Sequence, residues 1–174
     1  MNRAAVVITI SDSVAAGDRK DRSGPAVADL LERLGYTVHA DVVSDDRQAV
    51  IECLMRHTAD PGVCAVFTTG GTGLGPRDWT PEATRVVIER EIPGFGEWMR
   101  FRGRTSTPRS MLSRGLAGVR GTTLVINLPG SPAGAVESLD AIAELLPHAI
   151  DLIEGRTEHG RHTETPPEEV TSHE

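Results

Sequence analysis

The sequence predicts an α/β fold of three layers, in which a mostly parallel β-sheet carries helices on both faces. Short segments rich in Val and Ile alternate with segments whose apolar residues recur at helical spacing. Such alternation is typical of parallel strands joined by crossover helices. Most of the strand-like segments are apolar throughout, as expected of strands covered on both faces. Each of them ends in a polar or glycine-rich loop.

The first part of the chain contains three predicted strands, which are Ala4–Ile10, Tyr36–Val43 and Val63–Phe67. The second strand alternates apolar and polar residues, so we expect it nearer an edge of the sheet. Ser23 is the predicted N-cap of a helix with apolar residues at i, i+3, i+4 and i+7, and Gly35 follows the end of that helix. A second helix follows Ser44-Asp45-Asp46 and should bury Val50 and Leu54.

A glycine-rich loop from Thr68 to Asp78 follows the third strand and leads to a helix with Thr80 as its predicted N-cap. Glycine has no side chain and tolerates positive φ, so the loop can bring backbone N–H groups close to a phosphate. The residues we expect to do so are Thr69, Gly70, Gly71, Thr72 and Gly73. The alternative is a simple tight turn, since the spacing matches neither a dinucleotide fingerprint nor a P-loop.

The next part of the chain is harder to interpret. We expect a helix from Pro81 to about Arg90, helical turns over Phe95–Phe101, and an irregular segment with a short helix over Arg102–Arg120. A fourth strand, Thr122–Asn127, ends in Leu128-Pro129-Gly130-Ser131. Ser131 is the predicted N-cap of a final helix, which Pro147 kinks or restarts.

Composition limits the classes of protein and partner. The chain of 174 residues is most simply one domain over residues 1–155, followed by a polar, flexible tail over residues 156–174. Its net charge of −7 argues against nucleic acid or a membrane as the main partner, and no apolar run reaches transmembrane length. Two cysteines without a short motif indicate reduced thiols in a cytoplasmic protein, with a disulfide as the alternative.

The polar residues of interest all follow predicted strands. In parallel sheets, ligands bind beyond the carboxyl ends of the strands. Here those ends carry Ser11-Asp12, Ser44-Asp45-Asp46, the glycine-rich loop, and Asn127 to Ser131 with Pro129 and Gly130 between them. Ser113 and Ser131 are candidate phosphate donors, the latter at a helix N-terminus. We therefore expect one site along one rim of the sheet.

Asp45 and Asp78 are the carboxylates that we expect to be catalytic and to bind a metal ion. Mg²⁺ prefers a few carboxylates together with waters and substrate phosphates. The alternative for Asp45 is a helix N-cap, whereas Thr80 leaves Asp78 free of that role. Asp12 and Asp21 are possible further ligands or bases, which Asx-turns would explain equally well. Nothing in the spacing indicates covalent catalysis, so the predicted chemistry is positioning and electrostatics.

These residues resemble a known family, the molybdopterin adenylyltransferases of the Mog/MoaB type. The most specific match is the loop from Thr68 to Gly73 with Pro76-Arg77-Asp78 and Thr80 to Thr84. Weaker matches agree in order and spacing between Ala4 and Gly155. They are Ser11-Asp12 with Gly17 and Asp21 to Gly24, then Pro93 to Gly96, Met111 to Arg114, and Ile126 to Gly130. Ser44, where a proline is frequent, and Trp79, in place of a smaller apolar residue, depart from the pattern without removing a chemical group.

The resemblance implies an α/β domain, usually a homotrimer, that acts in molybdenum cofactor biosynthesis. Such enzymes transfer AMP from Mg-ATP to the terminal phosphate of molybdopterin and release pyrophosphate, and the product passes to a molybdenum-insertion protein. By the same resemblance, Asp45 and Asp78 are the essential aspartates, the glycine loop and Asn127 to Ser131 hold phosphate, and Ser113 lies near the site. The alternative is a molybdopterin-binding or scaffold protein without catalysis, in which both aspartates are only caps.

Overall fold

A computed structural model describes residues 3–156. Six strands form one sheet in the order β2-β1-β3-β6-β5-β4. The strands are β1 Arg3–Ile10, β2 Tyr36–Val43, β3 Val63–Thr69, β4 Arg90–Glu91, β5 Ala117–Arg120 and β6 Thr123–Leu128. β2, β1, β3 and β6 are parallel neighbours, while β5 is antiparallel to β6 and β4 is antiparallel to β5. The predicted mostly parallel sheet is thus confirmed, and β2 lies at its edge as expected.

Within residues 3–156, seven α-helices connect or cover these strands. They are α1 Asp12–Ala15, α2 Ser23–Arg33, α3 Arg47–Thr58, α4 Thr80–Val87, α5 Pro93–Gly103, α6 Pro132–Ile142 and α7 Leu146–Ile153. A 3-10 helix spans Pro108–Leu112 and a second spans Ala143–Leu145. The helix predicted to kink or restart at Pro147 restarts, because α7 begins one residue earlier with proline in its first turn.

The helices form one layer on each face of the sheet, which confirms the three-layer prediction. On one face, Val7 of β1 and Phe67 of β3 pack with residues of α2, α5, α6 and α7. On the other face, Val6 and Ile8 of β1 pack with residues of α3 and α4. Successive side chains of a strand point to opposite faces, so the apolar run of β1 fills both cores.

Several local predictions are corrected by the structure. The segment expected to be irregular contains β5, which pairs along its whole length with β6. α4 ends at Val87 rather than near Arg90, and the chain then forms the short strand β4. Neither α1 nor β4 is among the predicted elements. Ser23 is not the N-cap of α2, because the carboxylate of Asp21 accepts hydrogen bonds from the N–H groups of Ser23 and Gly24 at 3.0 and 3.1 Å.

The described residues also bear on the predictions made from composition. Cys53 and Cys64 are both free and buried, which confirms the expectation of reduced core thiols. No helix within residues 3–156 has both the length and the apolar character that a membrane crossing needs. The tail predicted over residues 156–174 lies outside the described residues except for Arg156.

Candidate active site

Two adjoining cavities lie at the carboxyl rim of the sheet, where the sequence predicted a single site. We call them the Asn127 cavity, of about 550 Å³, and the Asp45 cavity, of about 510 Å³. Gly71, Asp78 and Gly130 line both of them. The boundary between the cavities is therefore built by the glycine loop, the predicted catalytic Asp78 and the loop after β6.

Most of the predicted site residues line one cavity or the other. The Asn127 cavity contains Thr72, Gly73, Ser113, Asn127, Pro129 and Ser131 besides the shared residues. The Asp45 cavity contains Ser11, Asp45, Thr69 and Gly70. Asp12 is the exception, because it lines neither cavity and its side chain is 47% exposed. The structure thus brings together side chains from four separate strand ends.

Asp46, not Asp45, is the N-cap of α3. Its Oδ1 accepts a hydrogen bond from the N–H of Ala49 at 2.9 Å. This contact corrects the alternative in which Asp45 was only a helix cap. The Asp45 loop is instead tied to the loop after β1, because the N–H of Asp45 donates to Asp12 Oδ1 at 2.8 Å and the N–H of Asp12 donates to Asp45 Oδ2 at 3.2 Å. Asp12 therefore positions Asp45 from outside the cavity.

The carboxylate of Asp45 lies in an environment that disfavours its charge. Burial, followed by the neighbouring Asp78 carboxylate, raises the pKa of Asp45, while Arg19 acts in the opposite direction. Arg77 forms an ion pair with Asp12 and lies 3.6 Å from Asp45 Oδ2 through its Nη2. In the structure Arg77 therefore contacts two carboxylates. The carboxylates of Asp45 and Asp78 attract a cation to this part of the cavity, against the opposing charges of Arg19 and Arg77.

Asp78 is folded back over its own loop. Its Oδ2 accepts a hydrogen bond from the N–H of Gly75 at 2.6 Å. A Cβ on Gly73 or Gly75 would lie 2.8 Å from that oxygen, so a larger residue at either position would displace the carboxylate. The carboxylate is therefore fixed where the two cavities meet.

The start of α4 differs from the prediction. Thr80 was expected to cap the helix, but it is the first helical residue, and its hydroxyl donates to the carbonyl oxygen of Gly70 at 2.9 Å. The N–H of Thr80 also donates to the carbonyl of Gly71 at 3.1 Å. Gly70 and Gly71 both have positive φ, of 103° and 63°. The loop thus takes a backbone course that suits glycine and is bonded directly to α4.

The side chain of Asn127 has one polar atom without a hydrogen-bond partner among the described residues. Its amide nitrogen donates to the hydroxyls of Thr68 and Thr84 at 3.1 and 2.9 Å. Its Oδ1 is buried and has no hydrogen-bond partner among the described residues. A buried acceptor without a partner is costly, so this atom is available to a donor on a ligand in the Asn127 cavity. Ser131 caps α6 as predicted, because its Oγ accepts from the N–H of Gly134 at 3.2 Å.

Sequence analysis missed the cations of both cavities. Arg19, Lys20 and Arg22 line the Asp45 cavity, and Arg100 and Arg109 line the Asn127 cavity. The first three stand among aspartates in a polar loop, and the alternating charges hid the cluster. Because cations attract phosphates, each cavity can take an anionic ligand although the chain as a whole is acidic.

The side chain of Arg114 is bound within the protein. Its Nε donates to the carbonyl of Gly73 at 2.7 Å, and its guanidinium also contacts Glu82 and the carbonyl of Asp78. Arg114 therefore links the middle and the end of the glycine loop to α4 through Glu82.

Comparison with known proteins indicates the family of the chain. A family model described as a probable molybdopterin binding domain matches residues 6–148. A molybdopterin adenylyltransferase of Helicobacter pylori (strain J99) is 38% identical over 152 residues, which cover 86% of each chain. The molybdopterin adenylyltransferase of Escherichia coli K12 is 34% identical over an alignment of 182 positions, which covers 95% of this chain and 90% of the relative.

Solved structures show the same fold. The molybdopterin biosynthesis enzyme MoaB from Thermus thermophilus superposes with a TM-score of 0.82 at 44% identity, covering 88% of this chain and 97% of that one. The molybdopterin biosynthesis Mog protein from Mycobacterium ulcerans gives a TM-score of 0.82 at 40% identity, covering 89% and 99%. The match of the family model over most of the chain, together with these relatives, shows that this chain belongs to the molybdopterin-binding domain family of molybdenum cofactor biosynthesis.

Proposed function

We propose that the protein transfers AMP from Mg-ATP to the terminal phosphate of molybdopterin, giving adenylyl-molybdopterin and pyrophosphate. Relatives that align over most of both chains are named molybdopterin adenylyltransferases, which places this chain among the enzymes of molybdenum cofactor biosynthesis. The identity of the nucleotide, the metal ion and the leaving group is our proposal. The observation that carries it is the meeting of two anion-attracting cavities at the Asp78 carboxylate.

Two adjoining cavities suit a reaction between two phosphorylated substrates. If one substrate occupies each cavity, their reacting phosphates meet beside Gly71, Asp78 and Gly130. An oxygen of the pterin phosphate then bonds to the α-phosphorus of ATP, and the bond to pyrophosphate breaks. The chain contributes by holding the two groups in line, which converts a bimolecular step into a reaction of bound partners.

Asp45 and Asp78 fit the binding of Mg²⁺. Both line the Asp45 cavity and both offer the oxygen ligands that Mg²⁺ prefers, and burial together with the Asp78 carboxylate raises the pKa of Asp45. When bound there, Mg²⁺ neutralises phosphate charge during transfer. The remaining contacts come from the chain itself, since the backbone of the glycine loop and the N-terminus of α6 face bound phosphate, and Arg19 and Lys20 attract it.

We further propose that the protein is a homotrimer that assembles through α5. Trp98 and Phe101 of this helix are exposed by 42% and 54% and stack with ring centroids 5.7 Å apart. A stacked aromatic pair at the surface is a typical protein contact site. We also propose hand-over of the product to a molybdenum-insertion protein, and a cytoplasmic location, which suits the two free thiols.

The assay that tests the function is pyrophosphate release from ATP in the presence of molybdopterin and Mg²⁺. We expect release that depends on both. Asp45→Asn and Asp78→Asn should each lower turnover at least about 100-fold, since a ligand of the reacting metal acts on the transition state. Pterin affinity of Asp45→Asn, measured by calorimetry, should change far less than turnover.

Asp46→Asn is the matched control for Asp45→Asn. It neutralises the adjacent carboxylate while asparagine still caps α3, so activity should stay near that of the wild type. Folded wild-type protein that binds molybdopterin without releasing pyrophosphate would identify a binding or scaffold protein instead. Full turnover in Asp78→Asn would refute the assigned site.

A further inference from the structure

A second cluster of metal-binding side chains lies away from the two cavities, between the edge strand β2 and α3. Asp41 lies on β2, and Cys53 and His57 lie one helical turn apart on the same face of α3. One ligand atom from each residue lies within 4.8 Å of the other two. The Asp41 Oδ2 atom lies 2.8 Å from His57 Nε2 and 3.6 Å from Cys53 Sγ.

This set of donors fits a particular kind of ion. Sulfur, imidazole nitrogen and carboxylate oxygen together suit Zn²⁺ better than Mg²⁺ or Ca²⁺, which prefer oxygen alone. Tetrahedral zinc bonds of about 2.0–2.3 Å place neighbouring ligand atoms roughly 3.3–3.8 Å apart, so only small shifts of these side chains are needed. The other Asp41 oxygen, Oδ1, accepts from the N–H of Val42 at 2.8 Å, which orients Oδ2 toward the cluster.

We propose that Asp41, Cys53 and His57 form a zinc site, with water or a further ligand in the fourth position. Cys53 is buried against the core of the α3 face, whereas Asp41 and His57 are partly exposed. One side of the cluster is thus anchored and the other is open to solvent, which gives an ion a path of entry. The site is separate from the Asp45 cavity and does not depend on adenylyl transfer.

Arg56 contacts two of the three proposed ligands. Its Nη2 lies 2.6 Å from Asp41 Oδ2 and 3.5 Å from Cys53 Sγ. The arginine side chain is 65% exposed, so it can swing into solvent when an ion binds. Zinc binds cysteine as the thiolate, so the Cys53 proton must leave at the same time.

The ion would tie β2 to the middle of α3. These two elements flank the loop that carries Asp45, and β2 is an edge strand with a single neighbour, β1. A metal ion bound to both β2 and α3 would restrain the two ends of the loop that carries Asp45. The role assigned to the ion is therefore structural, and bound zinc should raise the melting temperature.

The experiment titrates the full-length, metal-free protein with Zn²⁺ against a chromophoric chelator. We expect Asp41→Asn, Cys53→Ser and His57→Gln each to weaken one zinc equivalent at least about 100-fold, more than the loss of an outer hydrogen-bond partner. Arg56→Gln removes a competing positive charge, so it should bind zinc roughly fivefold more tightly. Co²⁺ should give a thiolate charge-transfer band that Cys53→Ser lacks.

Two substitutions serve as matched controls. Cys64→Ser removes the other buried thiol, and His148→Gln removes an exposed imidazole on α7, so both should bind zinc like the wild type. The Asp45 cavity and the histidines beyond residue 156 are unchanged in every variant, so zinc bound there cancels in the comparison. Equal affinity in the wild type, Cys53→Ser and His57→Gln, or the absence of the cobalt band from the wild type, would overturn the zinc site. Equal zinc affinity in Arg56→Gln and the wild type would show that zinc does not displace the Arg56 side chain.

Discussion

Asp45 and Asp46 are adjacent and chemically identical, yet they have different roles in the structure. Asp46 caps α3, and Asp45 turns into the cavity beside Asp78, where burial and the second carboxylate raise its pKa. A group in such a position costs stability in its charged form, as is common at functional sites. The different environments of Asp45 and Asp46 should therefore be visible in the thermal stability of variants, which is measurable without substrate.

We predict that Asp45→Asn stabilises the protein at neutral pH. A raised pKa means that folded Asp45 binds a proton more tightly than the unfolded chain does, so its ionisation lowers stability as pH rises from the ordinary value of 3.8 through the raised one. At pH 7 in a chelator, the variant should melt about 2 °C higher, the size expected of a partly screened carboxylate pair in a domain of this length.

The gain should shrink as the pH is lowered toward 4, because wild-type Asp45 is then protonated as well. Asp46→Asn, which keeps the cap, should show no comparable gain. Thermal denaturation of the three proteins across this pH range makes the measurement. An Asp45→Asn variant that melts at or below the wild type at pH 7 would contradict the cause assigned to the shift.

The same pair shows how far sequence could define the site. The carboxyl ends of the strands were correctly expected to hold the polar residues, because a parallel sheet places them on one rim. Which of two neighbouring aspartates caps the helix was not decidable, since both have the required side chain. The role of Thr80 was predicted wrongly because its hydroxyl contacts Gly70, a partner that only the folded loop supplies.

At the scale of elements, the glycine loop is the joint between β3 and α4. Gly71 has a φ of 63°, and a Cβ there would collide with the hydroxyl of Thr80, which is itself buried and bonded to Gly70. Gly121, in the turn between β5 and β6, has a similar φ of 54° but open space around it. The two glycines therefore have similar φ angles and differ in packing.

We predict that Gly71→Ala is less stable than Gly121→Ala by roughly 1–3 kcal/mol, the usual cost of an overpacked site. Both variants carry the same penalty for alanine at positive φ, so that penalty cancels. Urea denaturation measures the difference. Equal midpoints for the two variants, with equal slopes, would show that Thr80 moves aside at little cost.

Element prediction succeeded where a pattern was long and failed where pairing decided the structure. β1 and β3 are unbroken apolar runs, and their existence follows from composition. β5 has four residues and includes Gly118 and Arg120, which weaken any strand pattern. It forms because β6 offers an edge next to the Gly121 turn, and the two-residue β4 then forms against β5. Such pairing cannot be read from a local pattern.

At the scale of the whole molecule, α5 carries the surface through which we propose that the protein assembles. Trp98 donates its Nε1–H to the carbonyl of Ala141 at 2.9 Å, which fixes the ring, and Phe101 stacks on it. Arg102 and Arg104 lie over these rings at 5.8 and 5.4 Å from the ring centroids. Trp98 and Phe101 thus form a fixed apolar patch with arginines at its rim. Interfaces between proteins commonly combine an apolar centre with a polar rim.

We predict that the wild type sediments as a trimer and that Phe101→Glu dissociates it, because a carboxylate would have to be buried at each contact. Met55→Glu is the matched control. Met55 is a similarly exposed apolar residue on α3, in the helical layer on the opposite face of the sheet, so its replacement should leave the trimer intact.

Analytical ultracentrifugation of the three proteins, with circular dichroism to confirm folding, measures the oligomeric state. α5 also supplies Met99 and Arg100 to the Asn127 cavity, so dissociation should also weaken binding of the substrate that occupies this cavity. A monomeric wild type, or a Phe101→Glu variant that sediments like it, would place assembly on another surface or rule it out.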